Sequence, residues 1–288
     1  MKTNLFLCSF ASSDLDLSVE RFVAQAKKLN IYSGIKVFRP KDLSSELNNR
    51  INRLIKEKGR YLHGYEIWKQ KIISEYLKNI PENAILQYSD IGCHLNNSGI
   101  KRLNDYVSIT EKNNMLVFAY EDPPENMKVN DYNFQVNKEY NYTKGDVFKY
   151  FNVNPESEIY NSPQIWAGSF FMKKCDFVLN ILNTWEKACN YIELLDESES
   201  VSANHPEFIG MRGSQGVFSI ICKLNNVSKL SASECEWAEG KDGSGRKWSH
   251  LKHYPILAKR DLKYGLIKRF LNRQKKNFRR IQRKLFSN

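Results

Sequence analysis

Residues 4–38 read NLFLCSFASSDLDLSVERFVAQAKKLNIYSGIKVF, and the order of apolar and polar positions in this stretch decides the fold class. Asn4–Phe10 is a short apolar run ending in the small polar segment Ser9–Ser13, as a strand does when it runs into a loop. Val19, Phe22, Val23, Ala26 and Leu29 then recur at helical spacing, with Asp16 or Ser18 placed to cap the helix. Ile35–Phe38 is a second apolar run, closed by Pro40. A strand, a helix and a strand in that order open a parallel α/β sheet.

The rest of the chain continues the alternation. Ile67, Trp68, Ile72, Ile73, Tyr76 and Leu77 mark a helix that Pro81-Glu82-Asn83 breaks before a strand over Ala84–Tyr88. Ile100, Leu103 and Val107 give a helix and Met115–Ala119 a strand, after which Glu121 to Tyr142 is polar and irregular. Gln164–Met172 is a strand. Phe177, Val178, Ile181, Leu182, Trp185 and Cys189 mark a long helix, and Val217, Phe218, Ile221 and Leu224 a last core helix beyond the polar stretch Asp196–Asn204. Gly240–Gly245 is a loop. The expected architecture is a mixed, mostly parallel sheet flanked by helices.

With 41% apolar residues and 12% aromatics in 288, the chain has material for one large α/β domain, with or without an appended helical segment. Its net charge of +12 is unevenly placed. From Lys259 onward the balance is +11, which leaves +1 for the body, so the expected division is a domain over 1–258 and a basic tail over 259–288. Ile267, Leu271, Phe278, Ile281 and Leu285 fall on one face of that tail, with Lys and Arg over the rest. Such a helix suits an anionic membrane surface over 262–288; a helix docked on the body and an RNA-binding tail are the rival readings. The neutral body and the lack of a recognisable nucleic-acid motif argue against nucleic acid as a partner. No apolar run approaches the roughly 18 residues of a membrane span, and the first one is too short and poorly flanked for a secretory signal. Six scattered cysteines without a C-x-x-C pair read as reduced thiols. These features together predict a cytoplasmic protein, peripheral on the inner face of the membrane.

Ligands of open α/β sheets bind beyond the carboxyl ends of the strands, which makes Asp90 a candidate. It follows the strand Ala84–Tyr88, and Gly92 behind it lets a backbone or ligand approach closely. A turn-opening or helix-capping role is the alternative. Lys69 and Arg60 are cations that could offset phosphate charge, or ordinary helix-surface residues. Trp68 reads as core, and Trp166, ahead of a strand glycine, could line an acceptor pocket.

Gly64-Tyr65-Glu66-Ile67-Trp68-Lys69 followed by Tyr88-Ser89-Asp90-Ile91-Gly92-Cys93 resembles bacterial polysaccharide glycosyltransferases whose pattern runs G-Y-W-x-W-K and then Y-x-D-x-G-C. Gln164-Ile165-Trp166-Ala167-Gly168 and Arg212-Gly213-Ser214-Gln215 through Ser219 resemble that family's A-G strand and R-H-D-Q-S helix start. The same motif order is similar to the GT-A enzymes of glycosyltransferase family 8. The resemblance implies a GT-A-like fold and hexosyl transfer from a nucleotide sugar to a glycan or lipid-linked glycan, with retention of configuration favoured. It implies a donor site of Phe10, Ser12, Arg60, Tyr65, Lys69, Asp90, Gly92, Ala167 and Gly168, the last two leaving room for the sugar, and an acceptor contact at Trp166. It also implies Mn²⁺ or Mg²⁺ held by Asp90 with His250 or His253, for which a surface histidine pair is the alternative. Gln215 and position 214 fall where the family acts on the sugar. Two departures stand out. Position 66 is Glu where the pattern has Trp, and 213–214 are Gly-Ser where it has His-Asp. Ser214 carries no charge, so the expectation is that a nearby acid, Glu207 first, replaces it, or that the chain is a slow homologue that binds nucleotide sugar or glycan.

Overall fold

The computed structural model describes residues 4–59, 62–128, 131–241 and 245–259. Six strands form the central sheet: β1 (Leu5–Phe10), β2 (Tyr32–Phe38), β3 (Ile85–Ser89), β4 (Met115–Ala119), β5 (Ile165–Lys173) and β6 (Ser228–Ser231), in the order β2-β1-β3-β5-β4-β6. β2, β1 and β3 pair in parallel, as do β4 and β6, whereas β5 is antiparallel to both of its neighbours. Five of these six strands therefore point the same way, as the alternating strand and helix pattern predicts. Six helices longer than two turns accompany them among the described residues: α1 (Asp16–Leu29), α2 (Ser45–Lys58), α3 (Lys69–Lys78), α4 (Ile100–Asn113), α5 (Asp176–Ala188) and α6 (Ser214–Leu224).

Side chains of a strand alternate between its two faces, and this sorts the helices into layers. Cys8 and Phe10 of β1 join the core beneath α2, α3, α5 and α6, while Leu7 faces Phe22 and Ala26 of α1, and Leu5 joins the cluster under Leu103 and Tyr106 of α4. The centre of the larger layer is an aromatic stack. Phe218 of α6 lies 4.7 Å from Phe170 of β5 and 4.5 Å from Trp185 of α5, ring centre to ring centre, and both Phe218 and Trp185 are fully buried.

Alternation fails at one place. Trp166 and Ala167 face opposite layers in turn, but Phe170 lies with Ala167 in the larger core and Phe171 with Trp166 in the smaller one, a slip of one position. The pairing of β4 with β5 is interrupted at the same point: Leu116 stands opposite Phe171 and Phe118 opposite Trp166. Such a bulge frees backbone groups from the ladder. The Ala167 N–H and carbonyl are thereby left for side chains.

Several elements differ from expectation. α2 was not apparent in the sequence because its apolar stripe is thin, three buried residues (Leu47, Ile51, Leu54) amid charge; Ser44 caps it by accepting from the Leu47 N–H at 3.2 Å. The edge strand β6, with Lys229 exposed, was equally faint. Neither Asp16 nor Ser18 caps α1: Leu15 holds the N-cap position without a side-chain bond, Ser18 is buried, and Asp16 stands in the first turn, where its charge suits the helix dipole. The third helix begins at Lys69 and not at Ile67. Ahead of it His63, Gly64, Tyr65 and Glu66 have φ of 48°, 79°, 58° and 60°, a left-handed stretch that ends any helix. The described residues of the 121–142 region are mostly irregular, with a short strand at Tyr132–Asn133 and single turns of helix at Glu125–Met127 and Glu139–Tyr142. None of the six cysteines forms a disulfide, and no helix among the described residues is long and apolar enough to cross a membrane.

Removing the ring between Phe170 and Trp185 leaves a cavity that the stack cannot close. Phe218→Ala is expected to cost about 3–5 kcal/mol of stability, read by chemical denaturation of the purified protein.

Candidate active site

The carboxyl ends of the five co-directional strands and the opposite, N-terminal half of β5 meet at one edge of the sheet. A cleft of about 630 Å³ opens there, lined by Phe10 at the end of β1, Ser12 and Asp14 after it, Asp90–Cys93 after β3, Tyr120 after β4, and Trp166–Gly168 of β5. The segment ahead of α3 contributes His63, Glu66, Trp68 and Lys69, and the start of α6 contributes Arg212 and Gln215.

Lys69 is the pivot. Its side chain is 1% exposed, and its ammonium donates to Glu66 Oε1 at 2.8 Å, Asp90 Oδ1 at 3.2 Å and the Ala167 carbonyl at 3.2 Å. An ammonium has three N–H groups, and all three are engaged within the protein. Lys69 thus meets a bound anion as a charge and not as a hydrogen-bond donor. Burial opposes that charge, but Asp90 and Glu66 outweigh it and hold the Lys69 pKa above the ordinary lysine value. Tyr88 OH donates to the same Asp90 oxygen at 2.7 Å. Burial, and then the charge of Asp90, push the Tyr88 phenol well up, so it stays a donor. Asp90 itself is 40% exposed in its side chain, and its other oxygen is left to the cleft.

Glu66 is the shielded carboxylate of the pair, only 8% exposed. Burial raises its pKa against the opposing pull of Lys69, with Asp90 adding to the rise. Ser214 Oγ donates to its second oxygen at 3.0 Å, so the position that lacks a carboxylate in the sequence faces one in the structure. Gln215 spans to β5 through the bulge: its Oε1 accepts the Ala167 N–H at 3.2 Å, and its Nε2 donates to Gln164 Oε1 at 2.8 Å. Gln164 is held by Glu139 and Thr143, and fully buried Glu139 pairs with Lys223 and accepts from Ser219 of α6. This chain of bonds fixes α6 to β5.

Arg212 stands just ahead of α6. Its guanidinium lies 3.3 Å from the ring centre of Tyr142 and 5.5 Å from that of Tyr120. It makes no side-chain hydrogen bond or ion pair with a described residue, and Arg212 lines the cleft. A guanidinium held by aromatic faces with its N–H fork free is a receptor for an anion. Asp14, joined to Ser12 Oγ at 2.6 Å, was also missed, although the rule that found Asp90 applies equally to the loop after β1.

The structure gathers Phe10, Ser12, Lys69, Asp90, Gly92, Trp166, Ala167, Gly168 and Gln215 of the expected site around one cleft. Other expected residues lie elsewhere. Tyr65 is buried in the larger core, Ser214 lies behind Glu66, and Glu207 is exposed on a loop outside the cleft lining. Arg60 and the tail 262–288 are outside the described residues. Gly168 is not an open sugar floor, because a Cβ there would lie 2.3 Å from the Trp166 indole, which folds over it. The histidines do not join Asp90: His250 packs against Phe134 and Tyr132 with its Nε2 3.0 Å from the Glu236 carbonyl, and His253 is exposed on the turn that follows. Among the described residues no three His, Cys, Asp or Glu side chains are grouped to hold a metal. The protein groups that fit a hard cation are the free Asp90 oxygen and little else, a set that a ligand's own phosphates would have to complete.

No protein-family model matches the sequence, and no curated protein matches it. Similar solved structures include three glycosyltransferases, each 8% identical to this chain. Mouse xyloside xylosyltransferase 1 in its apo form aligns with 82% of this chain and 87% of its own at a TM-score of 0.42. A glycosyltransferase involved in glycosylation of the major capsid of PBCV-1 aligns over 88% and 91% at 0.46. The bifunctional glycosyltransferase WbbM aligns over 82% of this chain and 40% of its own at 0.43.

The packing of Trp166 onto Gly168 makes a direct prediction. Gly168→Ala is expected to cost about 1–3 kcal/mol, as overpacking does, and to shift the tryptophan fluorescence as the indole is driven into the cleft.

Proposed function

We propose that this chain is a glycosyltransferase that moves a sugar from a nucleotide-sugar donor to a glycan or lipid-linked glycan in the synthesis of a surface polysaccharide such as lipopolysaccharide or capsule. The observation that carries the reading is the arrangement of charge in the cleft. A free guanidinium, Arg212, stands at the start of α6, and two carboxylates on a shared ammonium, Asp90 and Glu66 on Lys69, line the same cavity. A nucleoside diphosphate ester needs cationic donors for its oxygens, and a sugar needs carboxylates for its hydroxyls and for the charge that develops at its reacting carbon.

In this reading Arg212 receives a phosphate with its N–H fork, while Phe10 and the loop Ser12–Asp14 border the nucleotide. Asp90, Gly92 and Ala167 border the diphosphate and sugar. Trp166 forms the wall on the acceptor side. Mg²⁺ or Mn²⁺, held by the free oxygen of Asp90 together with the donor's phosphates, would offset charge on the departing diphosphate. Lys69 keeps Asp90 and Glu66 in place and lowers the repulsion between them.

A thermal-shift screen of nucleotide sugars with and without Mn²⁺ tests the assignment, because a ligand of the folded state raises its melting temperature. At least one donor is expected to raise it, Asp90→Asn to remove the Mn²⁺-dependent part, and Arg212→Ala to weaken Kd by about 10- to 100-fold, the worth of a hydrogen bond to a charged group. No shift with any nucleotide sugar, or shifts untouched by both substitutions, would sink it.

The charge distribution of the sequence adds a location. We place the protein on the cytoplasmic face of a membrane, held through residues 262–288, where each cation near an anionic surface is worth about 1 kcal/mol. Truncation before residue 262 is expected to abolish sedimentation with anionic liposomes while donor hydrolysis by the body persists. Equal sedimentation of both forms would refute this.

A further inference from the structure

We propose that Glu66 is the catalytic carboxylate of this cleft, the group that accepts the proton of the incoming acceptor hydroxyl; the assignment rests on the glycosyl-transfer reading above. Among the described residues three carboxylates border the cavity, and their surroundings divide the work. Asp90 has one oxygen committed to Tyr88 and Lys69 and is 40% exposed, so it sits where water and phosphate oxygens reach it. Asp14 is tied to Ser12 on the loop after β1. Glu66 lies against Lys69 and the start of α6, shielded from water and still in the cleft lining. A shielded carboxylate is a stronger proton acceptor than a solvated one, and burial acts on Glu66 in that direction.

The backbone supports the assignment independently. Three non-glycine residues in succession with Gly64, His63 through Glu66, hold left-handed φ, and each such residue costs free energy that the rest of the fold must offset. That turn ends α2's connection, puts Tyr65 into the core and delivers Glu66 to the cavity. Both Glu66 oxygens are then oriented by single donors, Lys69 Nζ at 2.8 Å and Ser214 Oγ at 3.0 Å, and each oxygen retains a lone pair. Ser214 and Lys69 are positioning residues in this arrangement.

The acceptor O–H bond breaks and its proton passes to a Glu66 oxygen. The acceptor oxygen bonds to the anomeric carbon of the donor sugar. The bond from that carbon to the diphosphate breaks, and its electron pair leaves with the nucleotide diphosphate.

The test uses the full chain and a nucleotide sugar that raises its melting temperature. Glu66→Gln keeps shape and a hydrogen-bonding partner for Ser214, and is expected to lower kcat by about 10²- to 10⁴-fold with little change in donor Kd. Glu66→Asp keeps the charge against Lys69 and retracts it by one methylene; it guards against misfolding of the amide variant and is expected to lose at least tenfold in kcat. A kcat within threefold of the parent in Glu66→Gln or in Glu66→Asp overturns the assignment, as does a loss that appears only as weaker donor binding. Should the parent bind no nucleotide sugar at all, the glycosyl-transfer reading fails first and the assignment falls with it; a parent that binds and transfers while the variants match it isolates the failure to Glu66.

Discussion

The Lys69 ammonium, almost without solvent, is bound by three oxygens that come from three separate segments: Glu66 from the turn ahead of α3, Asp90 from the loop after β3, and the carbonyl of Ala167 in β5. A buried cation is tolerated only when its N–H groups and its charge are both met, and a single missing partner would leave a large desolvation cost. The geometry of the cleft is therefore interdependent. α3 must begin where it does for Lys69 to reach inward, the left-handed turn must precede it for Glu66 to follow, and β5 must break its ladder for a carbonyl to be available. Two carboxylates can share the cavity because that one ammonium lies between them.

The bulge in β5 is what connects this centre to the rest of the molecule. Slipping by one residue between Trp166 and Phe170 changes which core receives each later side chain and opens the backbone at Ala167 on both sides, N–H to Gln215 and carbonyl to Lys69. The same slip sets the indole of Trp166 over Gly168, where no larger residue fits. Behind it, Gln164, Glu139, Ser219 and Lys223 form a buried polar path that fixes α6 against the sheet. Satisfied networks of this kind are rigid, since each member would lose a partner if another moved. Rigidity there keeps Arg212 and Ser214, at the start of α6, at a constant distance from the carboxylates.

Positions 66 and 214, far apart in the sequence, meet in the structure. Considered along the chain, Glu66 is a polar residue where an aromatic was expected, and Ser214 a neutral one where an acid was expected. In space they touch at 3.0 Å, so the neutral Ser214 faces the Glu66 carboxylate. Electrostatics depends on where the charge is and not on which segment carries it.

Sequence periodicity determined the broad architecture. The alternation of apolar runs and helical stripes specified β1, α1, β2, α3, β3, α4, β4, β5, α5 and α6, because burial of one face at period 2 or 3.6 is a local property of the chain. The rule that ligands gather at strand ends likewise located Asp90. What the periodicity could not supply was α2, whose stripe is too thin, the edge strand β6, and the left-handed turn at 63–66. Above all it could not supply pairings between residues far apart in sequence. Glu66 with Ser214, Lys69 with Ala167, and Arg212 with Tyr142 are decided by how layers pack, and the separation of His250 from Asp90 is decided the same way. A side chain's type is written in the sequence, but the dielectric around it, the donors that orient it and the charge that faces it exist only once the sheet has brought distant segments to one edge.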